Sequence, residues 1–209
     1  NIKKINWSWK LSEVKIFTVG FDEAGRGPLA GPVCASAVIL PNDFPIEILN
    51  DSKKLSEKKR ILAEEIIKEK ACYGIGLVDN ATIDRINILE ASMLAMKIAF
   101  DNLKEMLPQF LEKNGLKLED VSFSGITDGT KCPDVAIECR CEPKADANYP
   151  AVMAASILAK NCRDRIMIEM DKKYPEYGYA KHKGYPTKEH KEICKKIGPS
   201  PIQRKSFKY

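Results

Sequence analysis

The sequence predicts an α/β domain: a mixed sheet of five strands flanked by helices, followed by a small helical extension at the C-terminus. Two observations carry that prediction. Two apolar, strand-like runs follow one another closely near the start of the chain, and strand-like runs then alternate with long segments of helical periodicity. With 209 residues the chain is long enough to bury one core, with room for an appendage.

The elements are read in order. Residues 16–21 and 33–40 are short continuous apolar runs bounded by glycine and proline, and read as buried strands joined by a tight turn. A helix is expected over 56–70, with Ser56 placed to cap it ahead of Glu57 and Lys58. A third strand is read at 73–78, a helix over 88–107, and strands at 121–126 and 135–139. Over 149–172, Val152, Ala155, Leu158, Cys162, Ile166 and Met170 recur at spacings of three and four, the stripe of a buried helix. Pro175, Gly178, Gly184 and Pro186 punctuate a loop-rich stretch before a short helix at 188–196. The chain thus divides into an N-terminal extension (1–14), a core (15–172) and a C-terminal extension (173–209).

Charge separates these parts. Residues 172–209 hold 11 Lys or Arg against 3 Glu, and the remainder holds 23 basic against 26 acidic residues. The whole excess behind the net charge of +5 therefore lies in the C-terminal fifth, as on a surface that grips a polyanion. A solvated lysine-rich helix would give the same count. No apolar run approaches the length of a bilayer span, and residues 1–4 lead into no signal-peptide core. The seven cysteines are odd in number, scattered, and mostly set in apolar segments, which points to reduced thiols and a cytoplasmic protein. Cys132, Cys139 and Cys141 lack paired spacing and a nearby histidine, so zinc is not expected.

The chemistry concentrates at Asp22-Glu23-Ala24-Gly25-Arg26-Gly27. An apolar run delivers two carboxylates, which are unfavourable at the end of a buried strand unless cations or hydrogen bonds neutralise them. The glycines admit close backbone approach to a ligand, and the arginine offers a fixed fork of donors for phosphate. A dinucleotide-binding glycine loop would have to open a helix, but Pro28, Pro32 and a second strand follow here. A plain hairpin with solvated carboxylates competes with a metal site. Asp128 ends another apolar strand and Asp146 precedes the long helix, so both can reach the same end of the sheet, although an Asp-Gly turn alone would also account for Asp128. Clustered carboxylates repel one another, and hard divalent cations such as Mg²⁺ relieve that repulsion with oxygen ligands. The chain's two histidines, His182 and His190, both lie in the basic tail, which argues against a Ser–His or Cys–His nucleophile.

Further segments join these: Asp51-Ser52-Lys53-Lys54-Leu55-Ser56, Thr127-Asp128-Gly129, Lys144-Ala145-Asp146-Ala147, the run from Ala154 to Lys160, Arg163-Asp164-Arg165, Lys181-His182-Lys183-Gly184-Tyr185 and Gly198-Pro199-Ser200-Pro201. In this order, from about Thr18 to Phe207, the chain resembles the type 2 ribonuclease H (ribonuclease HII) family. The resemblance implies a ribonuclease H-like fold and an endoribonuclease that hydrolyses the RNA strand of RNA–DNA hybrids. It also implies incision 5′ of single ribonucleotides in duplex DNA, leaving 3′-hydroxyl and 5′-phosphate ends. By position it places four metal-binding catalytic carboxylates on Asp22, Glu23, Asp128 and Asp146, with Mg²⁺ or Mn²⁺ as cofactor. Gly25, Arg26 and Gly27 match the sensor of the ribose 2′-hydroxyl, and Tyr185 an aromatic residue that packs on the sugar beside the scissile junction. Ser52, Lys53 and Lys54 match a loop near the substrate backbone, and Lys181 and Lys183 are expected to contact phosphates.

Asp164 rivals Asp146 as fourth carboxylate, but between Arg163 and Arg165 on a helix it reads more simply as an ion-pairing residue. Thr127 departs from the valine that many relatives carry. Trp7 and Trp9 lie outside the matched core and have no assigned task. Residues 203–209 resemble a sliding-clamp peptide, with Ser206 where an aliphatic residue belongs, and a monomer is expected. The sibling type 3 enzyme, a DNA nuclease on the same fold and a noncatalytic hybrid-binding protein remain alternatives.

Overall fold

The computed structural model describes residues 14–50, 52 and 54–208. The expected N-terminal extension other than Val14, together with Asp51 and Lys53, lies outside the described residues. In order the elements are β1 (Lys15–Ala24), β2 (Val33–Ile39), α1 (Glu57–Lys70), β3 (Cys72–Val78), α2 (Asn80–Ile86), α3 (Ile88–Lys113), β4 (Val121–Asp128), β5 (Glu138–Glu142), α4 (Ala145–Asn148), α5 (Pro150–Lys173), α6 (Tyr179–His182) and α7 (Lys188–Ile197).

The five strands form one sheet in the order β3-β2-β1-β4-β5. β1 pairs antiparallel with β2 and parallel with β4, so the sheet is mixed as predicted and β1 is its central strand. Strand alternation then sorts β1 by face. Phe17, Val19 and Phe21 join the core beneath α3, where Phe17 meets Phe110 edge-on with ring centroids 5.9 Å apart. Gly20 faces the other way, toward α5. A Cβ there would lie 2.2 Å from the Ala151 carbonyl carbon, so the absence of a side chain is what lets the helix lie directly on the sheet. Asp22, two residues on, shares that face.

α5 carries a second core with α1 and β2, including Val38, Ile67, Ala155 and Leu158. Its predicted stripe is buried at Val152, Ala155 and Leu158, but Ala151, Ala154, Ile157 and Ala159 are buried as well. The helix is enclosed on several sides, since β1, β2, α1 and α6 all pack on it. Among the described residues no helix is long and apolar enough to cross a membrane.

Between α1 and α5 lies a polar seam. Glu64, about 4% exposed, accepts two hydrogen bonds from Arg165 at 2.6 and 2.8 Å and one from Asn161 at 2.8 Å. Lys68 adds an ion pair at 2.7 Å. Burial by itself would raise the Glu64 carboxyl, but these donors outweigh it and bring the group from 4.5 down to about 2. Because the folded value is depressed, the stabilisation is complete above the unfolded value and fades as pH falls toward the folded one. For a displacement of that size it amounts to about 3 kcal/mol. Glu64→Gln is therefore expected to lower the urea midpoint at pH 7, with the gap to the parent protein closing between about pH 4.5 and about pH 2. A gap that does not change over that range would mean that the ionised Glu64 contributes nothing.

Several elements differ from the sequence reading. β1 and β4 run on to Ala24 and Asp128, so the acidic residues close the strands rather than follow them. The link between β1 and β2 is not a tight turn but the loop 25–32, whose Ala30 forms a β-bridge with Gln203 of the C-terminal segment. β5 was expected at 135–139 and lies at Glu138–Glu142. The apolar Val135 and Ile137 that drew the prediction pack as loop residues against the α3 core, while the edge strand itself is polar. The helix α2 was not anticipated: Asp79 caps it by accepting from the Thr82 amide at 2.8 Å, and Asn87 separates it from α3 with φ of 68°. Ser56 caps α1 as expected, accepting from the Lys59 amide at 3.4 Å.

Candidate active site

The parallel pairing of β1 with β4 sets Phe21 opposite Thr127, which brings Asp22 and Asp128 side by side one step further on. They sit at the carboxyl ends of adjacent parallel strands, where open α/β sheets bind ligands. Asp22 is 5% exposed because α5 covers its face of the sheet. That burial pushes its carboxyl well above the usual range, and the nearby charges of Glu23 and Asp128 push it further. A hydrogen bond from Ser156 and the Glu23 amide, 2.7 Å from Oδ1, act in the opposite direction. Ser156 is in turn 2.7 Å from the Ser52 hydroxyl, so the loop before α1 is tied through α5 to the Asp22 carboxylate.

Asp128 accepts a hydrogen bond from the Ala145 amide at 2.9 Å, which anchors the start of α4. Asp146, the next residue, is 6% exposed. Glu23 is partly shielded and takes a long contact of 3.4 Å from Arg26.

A cleft of about 210 Å³ gathers much of the rest. Asp22, Glu23 and the turn Gly25-Arg26-Gly27 line it together with Ser52, Lys160 and Tyr185. Gly25 has φ of 106°, and a Cβ on it would collide with the Arg163 side chain at 2.3 Å and the Pro32 carbonyl at 2.8 Å. No other residue fits that corner. Tyr185 stands close to Gly27, whose hypothetical Cβ would be 3.8 Å from the ring, and is 40% exposed. Lys160 and Arg163 lie 5.9 and 5.8 Å from its ring centroid.

Other expected residues stand apart. Lys54, Lys181 and Lys183 do not line the cleft, and of the four expected carboxylates only Asp22 and Glu23 do, Asp128 and Asp146 lying outside its lining. Lys181 is exposed and paired with Glu189 at 2.6 Å, and Lys183 turns its ammonium to the Ala180 carbonyl. Asp164 pairs with Lys160 at 2.7 Å and with Arg60 at 3.7 Å, the ion-pairing role expected of it. The same pairing holds Lys160 beside the cleft. Thr127 is buried with its hydroxyl 3.4 Å from the Cys139 sulfur, a contact that valine could not make.

Ser156, Lys160, Arg163 and Arg204, and the two histidines, have no site role assigned from the sequence alone. His182 and His190 stack at 4.4 Å beneath the segment carrying Tyr185. His182 donates from Nε2 to the Tyr177 carbonyl at 2.8 Å and accepts at Nδ1 from the Gly184 amide at 3.1 Å. His190 donates from Nδ1 to the Tyr185 carbonyl at 3.0 Å. Burial above all, with the adjoining His190 adding to it against the hydrogen bond to Tyr177, keeps His182 below its ordinary value, so that ring is neutral at pH 7; both rings brace the backbone beneath Tyr185.

The donor set suits a hard divalent cation: oxygen ligands only, with mutual repulsion and burial that a cation would relieve. Among the described residues, however, no group of three or more His, Cys, Asp or Glu side chains is already gathered at metal-holding distance.

A family model described as ribonuclease HII matches residues 19–209. The chain is 53% identical over 189 residues to ribonuclease HII of Acetivibrio thermocellus, covering 90% of this chain and 68% of that one. It is 50% identical over 195 residues to ribonuclease HII of Treponema denticola, covering 90% and 96%. Among solved structures, ribonuclease H2 from Pyrococcus horikoshii OT3 superposes with a TM-score of 0.67 at 26% identity, covering 91% of this chain and 93% of that one.

Proposed function

The chain belongs to the ribonuclease HII family, whose members cleave the RNA strand of RNA–DNA hybrids, and from that premise we propose that its cleft reads a single ribonucleotide within duplex DNA. One observation carries the reading. The buried carboxylate at the end of β1, the Gly-Arg-Gly turn and the exposed Tyr185 ring line one cleft, so a hydrolytic site and a sugar-reading surface adjoin.

We assign Asp22, Glu23, Asp128 and Asp146 to hold divalent cations, Mg²⁺ or Mn²⁺, which when bound activate a water and neutralise charge on the scissile phosphate and the leaving 3′ oxygen. The protein's own groups do the remainder. Backbone amides and carbonyls of Gly25 to Gly27 meet the 2′-hydroxyl, which can both donate and accept. Arg26 and Lys160 face the phosphate backbone as fixed positive charges. Tyr185 packs on the neighbouring sugar. The products are a 3′-hydroxyl and a 5′-phosphate, with the ribonucleotide at the 5′ end of the downstream fragment. We place the enzyme in the cytoplasm, on the strength of its odd number of scattered cysteines, and take it to act as a monomer. A sliding-clamp contact through 203–209 would require rearrangement, since Gln203 is buried and Phe207 lies under the Arg204 guanidinium at 5.1 Å.

The test is a labelled duplex with one embedded ribonucleotide, incubated with Mg²⁺, with Mn²⁺ and with EDTA, beside an all-DNA duplex. Cutting of the first alone, abolished by EDTA, is the expected result. Cutting of both duplexes would point to a DNA nuclease, and cutting of neither would remove the ribonucleotide reading.

Lys181 and Lys183, though outside the cleft, lie in the basic segment that leads to Tyr185. If they neutralise phosphates, replacing both with Ala lowers the slope of log affinity against log salt by about 0.9 for each duplex phosphate set free. An unchanged slope in a filter-binding or anisotropy titration would confine them to solvating the surface.

A further inference from the structure

Arg204 lies in the turn after α7 and is fully buried. A guanidinium has five N–H donors in a rigid fork. Here each meets a backbone carbonyl of the loop 25–32: Nε donates to Gly31 at 2.9 Å, Nη1 to Pro28 at 2.8 Å and Arg26 at 3.2 Å, and Nη2 to Gly25 at 2.7 Å and Pro32 at 3.1 Å. The backbone around it closes the same contact, with the Arg204 amide donating to Leu29 at 2.8 Å and the Gly31 amide to Ile202 at 2.9 Å.

Arg163, on α5, is buried as well and works from the opposite side. It donates to Pro32 and Ala30 of the loop, each at 3.0 Å, and to the Lys183 carbonyl at 2.9 Å, two residues before Tyr185. The Leu29 amide, donating to Gly184 at 2.8 Å, joins the loop to that segment directly.

Buried arginines ordinarily face carboxylates. Among the described residues no carboxylate forms an ion pair with Arg163 or Arg204. Burial, followed by the charge of Arg163, draws the Arg204 guanidinium down to about 9, still charged at neutral pH. Two buried cations held by carbonyls, with an aromatic ring beside each but no paired carboxylate, are a poor way to stabilise a loop that apolar packing could hold. They are a good way to fix the direction of successive carbonyls, since the planar fork dictates where each must lie. A lysine, with a compact head and three rotatable donors, cannot do so.

We infer that Arg204, with Arg163, is a positioning residue that shapes the Gly25-Arg26-Gly27 turn for reading the ribose, so that selectivity for a lone ribonucleotide depends on the C-terminal segment. The inference rests on the reading of that turn as the 2′-hydroxyl sensor. The carboxylates are placed differently: Asp22 and Asp128 are fixed by the sheet, which Arg204 does not touch. Loosening the clamp should therefore disturb ribose reading before hydrolysis. A long hybrid offers a 2′-hydroxyl at every step and tolerates a poorly aligned turn, whereas a single ribonucleotide offers one.

The experiment compares the full chain with Arg204→Lys on two substrates of equal length, a duplex with one ribonucleotide and an all-RNA strand paired with DNA. A misplacement of about 1 Å can reduce rate about 100-fold, so kcat/KM on the single-ribonucleotide duplex is expected to fall about 100-fold further than on the hybrid. Lysine keeps the charge, so its failure to rescue isolates the fork geometry. Equal losses on both substrates, or a parent-like ratio, would overturn the inference and leave Arg204 a structural residue. If Arg204→Lys does not fold by circular dichroism, Arg163→Lys, which spares all five Arg204 bonds, replaces it with the same expected ratio and the same overturning results. The two readings fail separately. A parent protein that ignores the single ribonucleotide defeats the function proposed above, and a parent that cuts it while the variants keep its preference defeats the clamp alone.

Discussion

Asp22→Asn and Asp128→Asn are each expected to lower hydrolysis of the RNA strand by about 10³-fold or more, while hybrid binding stays within a few-fold of the parent. Asparagine keeps the shape of the side chain and its hydrogen bonds but not the charge that a divalent cation needs. If affinity for the hybrid comes mainly from lysine and arginine contacts with phosphate, as proposed above, these changes leave it alone. A second effect follows from the burial of Asp22. Its ionised form is disfavoured in the fold by desolvation and by the charges of Glu23 and Asp128. Removing that charge should therefore stabilise the metal-free protein, and about 1 kcal/mol would raise the melting temperature by about 2–4 °C in a chain of this size. Added Mg²⁺ should stabilise the parent and do little for Asp22→Asn. The fourth carboxylate is decided by a matched pair. Asp146→Asn should be inactive, and Asp164→Asn, whose carboxylate is taken up by Lys160 and Arg60, should keep substantial activity. The reverse outcome would move the fourth ligand to Asp164, and activity in all four single variants would end the metal-site assignment.

The parts of this site that were legible in the sequence are those whose chemistry is local. Asp22 and Glu23 after an apolar run, Gly-Arg-Gly at a corner, and Ser56 ahead of α1 all declare themselves within a few residues. The sheet followed from period and alternation, because burial on one or both faces of a strand leaves a mark along the chain. What could not be read is contact across long separations. Ser52 and Ser156 meet 104 positions apart, and Arg204 reaches Gly25 across 179. An arginine in a tail of many basic residues looks like a phosphate contact, and nothing adjacent marks it as buried. β5 was misplaced for a related reason. Apolar content locates burial, and at this edge Val135 and Ile137 are buried in a loop while the polar Glu138–Glu142 makes the hydrogen bonds. The charge of the basic tail predicts a grip on a polyanion. Its described contacts include a different one, the five hydrogen bonds by which Arg204 holds the loop 25–32 from beneath.

Tyr185→Ala is expected to reduce cutting at a lone ribonucleotide by about tenfold to 100-fold in kcat/KM, with a smaller loss inside long RNA–DNA hybrids. The backbone at Tyr185 is held from below, with its amide donating to the His182 carbonyl at 2.9 Å and its carbonyl accepting from His190. The ring is left 40% exposed beside Gly27, with Lys160 and Arg163 close to it. A rigid, half-exposed ring flanked by positive charge can pack on a sugar whose phosphates those charges attract. Packed there, it would be crowded by a 2′-hydroxyl on the next sugar, so a step from ribose to deoxyribose fits best. Such a step occurs once at an embedded ribonucleotide and nowhere within a continuous RNA strand, which is why the two substrates should respond differently. The parent protein should then make one cut, on the 5′ side of the ribonucleotide, and product lengths on a denaturing gel report it directly. For Tyr185→Ala the same cut should persist, only more slowly, because the glycine turn and the carboxylates are untouched. A cut on the 3′ side in the parent would refute the orientation of substrate assumed here. Equal losses on both substrates would reduce Tyr185 to a general contact and leave the choice of junction to the glycine turn alone.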